Sequence, residues 1–264
     1  KYAEMVQKKF DLNLHILKVS GKDFLKNFER WVSLNDDPVS DPSAYALLLL
    51  SDYARSKGFK VMLAGDGADE LFGGYNAHTR FLWAKIFRKF YPRRLSSSYI
   101  MLKEPRLYDY LTTKNFCYFG AAHASDKILS NRILKTNLNH FKTGFYEKRS
   151  VELFSFTKWL QRDLDIRLPC DILPRTDRAT MGASIEARVP FLDDEVLKFA
   201  GNLKFYHRFG LTGLSRKKIL KDLALELGIP KECVYRKKIG FELPINQWLK
   251  EDLSPVVKKF IKNK

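Results

Sequence analysis

The sequence predicts an α/β protein, in which parallel strands alternate with helices. The first part of the chain shows the order strand, helix, strand, loop, helix, which is typical of this class. A glycine-rich loop follows directly after an apolar strand, which is where ligands bind in open parallel sheets. The chain has 264 residues and a hydrophobic content of 45%, enough for one large domain or a domain with an additional lobe.

The early elements follow from local patterns. Apolar residues interrupted by single polar ones predict a short strand at 14–19. Apolar residues at helical spacing predict a helix at 24–34. Asp41 is a typical N-cap and Pro42 a typical first helical residue, so we expect a second helix to begin there and to end near Gly58.

The most informative segment is residues 64–75, which we call the acidic loop. It follows an apolar strand predicted at 60–63, and a helix is expected to begin near Ala68. Glycines at 65 and 67 let the backbone approach a ligand closely. The loop also holds three carboxylates, Asp66, Asp69 and Glu70. Because neighbouring carboxylates repel one another, the pattern favours a bound cation or substrate group over a solvated acidic turn.

Strand patterns fade after residue 75, and the rest of the chain is predicted to be mainly helical. Residues 93–143 are irregular and moderately polar. Helices are predicted at Phe81–Phe90, at Phe145–Leu168 with a break before Pro169, at Asp193–Ala200 and at Lys217–Leu227.

Two later stretches concentrate charge. Residues 171–193 place charges among small and apolar residues, at Asp177, Arg178, Glu186, Arg188 and Asp193. Buried charges need partners, so this pattern favours ion pairs that hold a helical lobe to the sheet over direct catalysis. In the second stretch, Lys238 precedes Gly240 in a predicted turn. Two interpretations are equally favoured: Lys238 contacts a phosphate group, or it belongs to an exposed basic loop without a ligand.

Composition restricts the function classes. The net charge of +17 is typical of proteins that bind anions, nucleic acid or acidic lipid, but a solvated lysine-rich surface also explains it. No RNA-recognition or helix-turn-helix pattern accompanies the charge. The three cysteines are far apart, which predicts free, mostly buried thiols in a reducing cytoplasm rather than a zinc site or disulfides. No apolar run has the length of a membrane span.

Together, these stretches resemble the synthetase domain of the glutamine-hydrolysing asparagine synthetase family. The family loop S-G-E/D-G-x-D-E-L-F-G-G-Y is matched by residues 64–75, with Ala64 in place of the usual serine. D-R-x-S/T-M-x-x-S-x-E-x-R-x-P-F-L-D is matched by residues 177–193, and R-x-K-x-G-F-x-x-P-x-x-x-W-L by residues 236–249. Residues 36–44 are similar to the family segment D-E-P-x-x-D-P-S.

The resemblance implies an ATP-pyrophosphatase fold, an adenine nucleotide α-hydrolase-like parallel sheet truncated at its N-terminus, with a helical C-terminal part. It implies a single domain over 1–264, with the α/β sheet at 1–92 and a mainly helical portion at 93–264. The family's S-G-G-x-D-S pyrophosphate loop and its N-terminal glutaminase domain are not found in the sequence. We therefore expect this stretch to be inactive alone.

The family's activity implies a carbon–nitrogen ligase. ATP adenylates the β-carboxylate of aspartate, and ammonia from a glutaminase domain then forms asparagine. The resemblance assigns catalytic roles to Asp66 as proton acceptor and to Lys238 at the α-phosphate, and the role of Mg²⁺ ligand to Asp69. It assigns nucleotide contacts to Ala64, Gly65 and Gly67. Candidate supporting residues are Glu70, Asp177, Arg178, Glu186, Arg188 and Lys217.

The expected partners are ATP, aspartate and ammonia. The protein is expected to be cytoplasmic, without membrane contact and without a nucleic-acid role. A homodimer is compatible with the sequence but is not predicted by it. Two alternatives remain within the family: amidation of another carboxylic acid, such as a cell-surface sugar acid, or ring closure of the β-lactam type. An alternative from another class is a non-catalytic basic binding module, which the net charge favours and the intact acidic loop disfavours.

Overall fold

The structure is a computed structural model, and it describes residues 1–36, 41–76, 78–79, 160–237 and 243–262. The chain divides into two compact units. The first unit comprises Lys1–Asp66, Cys170–Asp193 and Lys221–Lys264, and the second comprises Gly67–Pro169 and Asp194–Leu220.

The described residues are mostly helical, with one small sheet. In chain order, the elements are α1 (Tyr2–Phe10), α2 (Gly21–Ser33), α3 (Ser43–Ser56), β1 (Val61–Leu63), α4 (Ala68–Phe72), a π-helical segment (Asp163–Ile172), α5 (Leu173–Met181), β2 (Glu186–Arg188), a 3₁₀ turn (Pro190–Leu192), α6 (Asp194–Gly201), α7 (Phe205–Phe209), α8 (Lys218–Glu226), α9 (Lys231–Val234), α10 (Ile245–Lys250) and α11 (Ser254–Lys262). Among the described residues, no helix has the length and apolar content that a membrane crossing requires.

The core of the first unit lies where α5 packs against α3. Tyr45 and Leu48 of α3 are fully buried, as are Ala179 of α5 and Ile185 before β2. Trp31 of α2 joins the same cluster. Because this core fixes α5, it also fixes the side chains that α5 presents to the acidic loop.

A capping box starts α2. Ser20 Oγ accepts a hydrogen bond from the Asp23 backbone N–H at 3.2 Å, and the Asp23 side chain accepts one from the Ser20 backbone N–H at 2.9 Å. Two N–H groups that the first helical turn leaves without helical partners are therefore satisfied.

Replacing Ser20 with Ala is expected to lower the free energy of unfolding by about 1 kcal/mol, because the cap acceptor is lost. Urea unfolding measures the change. Ser33→Ala is the matched control, since Ser33 lies at the other end of the same helix and its hydroxyl bonds only to the Arg30 carbonyl among the contacts described. An equal loss in both variants would show that the cap contributes nothing specific.

The strands β1 and β2 pair in parallel, as predicted for the sheet, but the partner of β1 is β2 and not the strand predicted at 14–19. Val61 is opposite Glu186, and Leu63 is opposite Arg188. The sequence analysis predicts no strand at 186–188, although the apolar residues Ile185, Ala187 and Val189 alternate there with two charged residues. This period of two is the signal that would have identified β2.

The strand predicted at 14–19 is wrong. Residues 12–20, all within the described part of the chain, form neither helix nor strand, and Leu14 and Ile16 are exposed. Apolar spacing alone does not make a strand, because a strand also requires a neighbouring backbone for its hydrogen bonds.

The predicted break before Pro169 is also wrong. The π-helical segment passes through this proline and continues directly into α5. Proline has no backbone N–H, so Pro169 removes one hydrogen bond from this segment without ending it.

The other predicted elements have mixed outcomes. Helices near 24–34, 68, 193–200 and 217–227 are confirmed within one to three residues. The helix predicted from Pro42 begins at Ser43, and the side chain of Asp41 accepts a hydrogen bond from the Ser43 N–H at 2.9 Å.

Cys170 and Cys233 are free thiols as predicted, but neither is buried, and Cys170 is exposed. The helix predicted at 81–90, the irregular stretch 93–143 and Cys117 lie outside the described residues.

Candidate active site

The acidic loop begins as a continuation of β1 in the first unit. The Ala64 N–H donates to the Arg188 carbonyl at 2.8 Å, which extends the pairing with β2. Gly65 is exposed, and a Cβ built on it would meet no atom within 4 Å. The backbone at Gly65 is therefore open to a ligand, as a nucleotide contact requires.

Asp66 is held by α5. The Thr176 hydroxyl donates to Asp66 Oδ2 at 2.7 Å, and Thr176 itself is buried. Burial raises the pKa of the Asp66 carboxyl, and the hydrogen bond from Thr176 partly offsets this increase. A carboxylate with a raised pKa is a better proton acceptor near neutral pH than an exposed one.

The start of α5 is anchored by Arg175. Its guanidinium bonds to Asp41, and its Nε lies 3.1 Å from Asp171 Oδ1 one turn earlier. These bonds fix the helical turn that carries Thr176, so they fix the donor that holds Asp66.

In the second unit, Gly67 turns the chain into α4 with φ of +86°, in the left-handed region that favours glycine. Asp69 then pairs with Lys217, whose Nζ lies 2.8 Å from Asp69 Oδ1. Both side chains are about three-quarters buried, with relative exposures of 24% and 28%. Lys217 has a φ of +52°, which is uncommon for a residue with a side chain and brings a backbone cost.

The glycine pair after α4 permits close packing. A Cβ at Gly73, which has a φ of +71°, would overlap the ring of Phe209. A Cβ at Gly74 would overlap both Asp69 Oδ1 and Lys217 Cε. The Asp69–Lys217 ion pair therefore passes directly over the backbone of Gly74.

Replacing Gly74 with Ala is expected to lower the free energy of unfolding by about 1–3 kcal/mol, since Asp69 and Lys217 must move to admit the methyl group. Thermal or urea unfolding measures the change. Gly201→Ala is the control within the same unit, because a Cβ there meets nothing within 4 Å. Equal stability of the two variants would mean that the close approach at Gly74 is not needed.

Glu70 is a buried carboxylate with a relative exposure of 1%. The phenol of Tyr75 donates a hydrogen bond to Glu70 Oε1. Burial raises the pKa of both groups above their ordinary values. For Glu70, the hydrogen bond from Tyr75 lowers the pKa, but the effect of burial is larger. Tyr75 therefore remains a protonated donor that fixes the end of the acidic loop to α4.

The ion pairs predicted for Arg178, Glu186 and Arg188 are confirmed, but these pairs do not join two helices, and Glu186 and Arg188 are exposed. Arg178 pairs with Asp36 at 2.6 Å, and Glu186 pairs with Arg188 at 2.7 Å within β2 rather than between helices. Asp177 is exposed on α5. Surface ion pairs of this kind contribute little to stability.

Lys238 lies outside the described residues, so its contacts stay a prediction. In the described part of the chain, no group of three or more His, Cys, Asp or Glu side chains is arranged to hold a metal ion. Sequence reasoning did not identify Thr176 as the partner of Asp66. A lone threonine in a helix has no distinctive pattern, and only the fold brings it to the loop.

The family model described as asparagine synthase matches residues 1–264. The chain belongs to the asparagine synthase family. It is 31% identical over 260 residues to asparagine synthetase [glutamine-hydrolyzing] 1 of Bacillus subtilis, covering 92% of this chain and 40% of that protein. It is 32% identical over 251 residues to a putative asparagine synthetase [glutamine-hydrolyzing] of Mycobacterium tuberculosis, covering 89% of this chain and 38% of that protein.

A third relative, asparagine synthetase [glutamine-hydrolyzing] 3 of Bacillus subtilis, is 26% identical over 264 residues, covering 94% of this chain and 38% of its own length. The chain thus spans about 40% of the length of the curated relatives that it matches. No solved structure matches the chain.

Proposed function

We propose that the full-length gene product containing this chain is an ATP-dependent amide synthetase that converts aspartate to asparagine with ammonia released from glutamine, and that the chain has an ATP-pyrophosphatase fold. One observation carries the proposal. The three neighbouring carboxylates of the acidic loop have three different partners, Thr176, Lys217 and Tyr75. Different environments give neighbouring carboxylates different roles, and the family relationship supports the reaction.

The reaction has two steps. A carboxylate oxygen of aspartate attacks the α-phosphorus of ATP, the bond between the α- and β-phosphates breaks, and pyrophosphate leaves. Ammonia then attacks the acyl carbon, the bond from that carbon to the bridging oxygen breaks, and AMP leaves with this oxygen. One proton from the attacking nitrogen passes to a base.

Asp69 is the candidate Mg²⁺ ligand. Mg²⁺ in nucleotide sites is usually held by one or two carboxylates together with substrate phosphates, which is a role that a single carboxylate such as Asp69 can fill. Asp69 Oδ1 already pairs with a positive charge, the ammonium of Lys217 at 2.8 Å, which supports a negatively charged side chain at this position. Bound Mg²⁺ would neutralise phosphate charge there. Lys217, which pairs with Asp69, would supply a further positive charge for the phosphates, and Lys238 is proposed to stabilise the charge on the α-phosphate.

Asp66 is the proposed proton acceptor of the second step. Its pKa is raised by burial, which brings it nearer to the pH at which a base must act. Ala64, Gly65 and Gly67 lie along the same loop, and Gly65 offers the exposed backbone for the nucleotide. Glu70 acts by orienting the loop through Tyr75.

Replacing Thr176 with Val tests the role of Asp66 through pH. The hydroxyl stabilises the charged carboxylate and so lowers its pKa; without this donor the pKa of Asp66 rises further. Because a base acts only when deprotonated, the acidic limb of the pH profile for ammonia-dependent amide formation is expected to move to higher pH.

Thr180→Val is the matched control for this pH profile, since Thr180 lies one turn along α5 and its hydroxyl donates to the Thr176 carbonyl rather than to Asp66. The acidic limb of this variant is expected to stay in place. An unmoved limb in Thr176→Val would reject Asp66 as the base.

The function itself is tested by incubating the full-length gene product with ATP, Mg²⁺, aspartate and either glutamine or ammonia. Aspartate-dependent release of pyrophosphate with formation of asparagine is the expected result. Release of pyrophosphate with other carboxylic acids, but not with aspartate, would keep adenylation and reject the acceptor. No nucleotide turnover, together with salt-sensitive retention of DNA or RNA, would favour a basic binding module instead.

A further inference from the structure

The second unit contains a buried ionisable pair that has no part in the chemistry proposed above. His78 Nε2 lies 2.8 Å from Asp163 Oδ2, and both side chains have a relative exposure of 0%. His78 follows the end of the acidic loop, and Asp163 is the first residue of the π-helical segment. Burying such groups is costly, so the bond between them strongly constrains the two segments that it joins.

The pair continues into the acidic loop through Tyr75. The rings of Tyr75 and His78 pack edge to face, with centroids 5.4 Å apart and an angle of 69° between their planes. The guanidinium carbon of Arg167 lies 4.2 Å from the centroid of the Tyr75 ring. The π-helical segment therefore reaches Tyr75 twice, through Asp163 and His78 and through Arg167 directly.

The last contact joins Tyr75 to α4. Its phenol bonds to the buried Glu70, which directly follows Asp69. The helix α4 is only five residues long, and so short a helix depends on side-chain anchors more than on its own backbone hydrogen bonds. What holds Tyr75 therefore also holds the turn that presents Asp69.

We propose that the His78–Asp163 pair is a positioning device for the acidic loop. It fixes Tyr75 and, through Glu70, keeps α4 and the carboxylate of Asp69 in one orientation toward the substrate phosphates. The importance of this orientation for catalysis rests on the proposed function, whereas the ordering of residues 68–75 by the pair does not. His78 and Asp163 act through other residues and need not touch the substrate.

The test compares variants of the full-length gene product at a temperature at which all of them are folded. His78→Ala removes the bond, Asp163→Asn keeps the shape of its acceptor but removes the charge, and His78→Gln keeps an N–H donor on a longer, flexible side chain. Leu160→Ala is the control, because Leu160 is a buried apolar residue of the same unit. Two quantities are measured: hydrogen exchange of the backbone amides of 68–75, and the kinetics of pyrophosphate release.

In His78→Ala and Asp163→Asn, we expect the amides of 68–75 to exchange faster and kcat for pyrophosphate release to fall by about 10- to 100-fold, since small misplacements of catalytic groups are costly. KM for the acid should change much less than kcat. His78→Gln should recover much of the lost rate. Leu160→Ala should change neither the exchange of 68–75 nor kcat.

Exchange in His78→Ala and Asp163→Asn that equals exchange in Leu160→Ala would overturn the proposal. Faster exchange with an unchanged kcat would overturn the link to catalysis. If the wild-type protein released no pyrophosphate with any acid, the proposed function would fail by itself, and exchange alone would decide whether the pair positions the loop. If His78→Ala does not fold, Asp163→Asn and His78→Gln carry the same comparison.

Discussion

Replacing Asp69 with Asn is expected to stop nearly all pyrophosphate release by the full-length gene product. The amide keeps the shape of the side chain but removes the charge that now pairs with Lys217 and that would hold Mg²⁺ against the phosphates. Stabilisation of phosphate charge by a metal ion contributes several kcal/mol at the transition state, so the rate should fall by about 10³-fold. Pyrophosphate release measured across a Mg²⁺ titration, at saturating ATP and aspartate, gives the result.

Asp194→Asn is the control for this prediction. It makes the same chemical change at an exposed aspartate at the start of α6 in the same unit, and its rate should remain close to that of the wild type. A rate close to wild type in Asp69→Asn would reject the metal role. Unfolding measured in parallel shows whether the loss of the Lys217 ion pair has changed stability as well.

Replacing Asp66 with Asn is expected to separate the two chemical steps. Adenylation should proceed, because Asp66 is assigned no part in the attack on the α-phosphorus. Amide formation should slow by about 10²- to 10⁴-fold, the usual contribution of a general base. A single-turnover experiment that follows pyrophosphate and asparagine separately measures both steps.

The outcome for Asp66→Asn depends on the Thr176 contact remaining available. An asparagine side chain can still accept the Thr176 hydrogen bond, which in the native protein measures 2.7 Å, so the loop should keep its place while losing its base. Equal loss of adenylation and amide formation would reject this division of roles. Amide formation at the wild-type rate would remove Asp66 from the second step.

Local sequence patterns were sufficient for several parts of this fold. The helix at 24–34 was predicted from apolar spacing, because α2 buries one face through Trp31. The acidic loop is predicted to follow a strand because glycines and carboxylates come directly after an apolar run, and the structure places the loop directly after β1, with α4 formed by its residues 68–72. These features depend on residues that are close in the chain.

Features that depend on distant residues were missed. Pairing between β1 and β2 joins residues more than 100 positions apart, and the bond from Thr176 to Asp66 spans 110. The bond between His78 and Asp163 spans 85 positions and involves two residues without any shared motif. Such contacts follow from tertiary packing, which a single sequence does not display as periodicity or spacing.

The central claim is that a carboxylate is adenylated before it is amidated, and an oxygen-transfer experiment tests it most directly. The full-length gene product is given ATP, Mg²⁺, ammonia and aspartate labelled with ¹⁸O in its β-carboxylate, and the released AMP is analysed by mass spectrometry. The account predicts one ¹⁸O atom in AMP, because the bridging oxygen comes from the acid. AMP without label, or label found in inorganic phosphate, would contradict it.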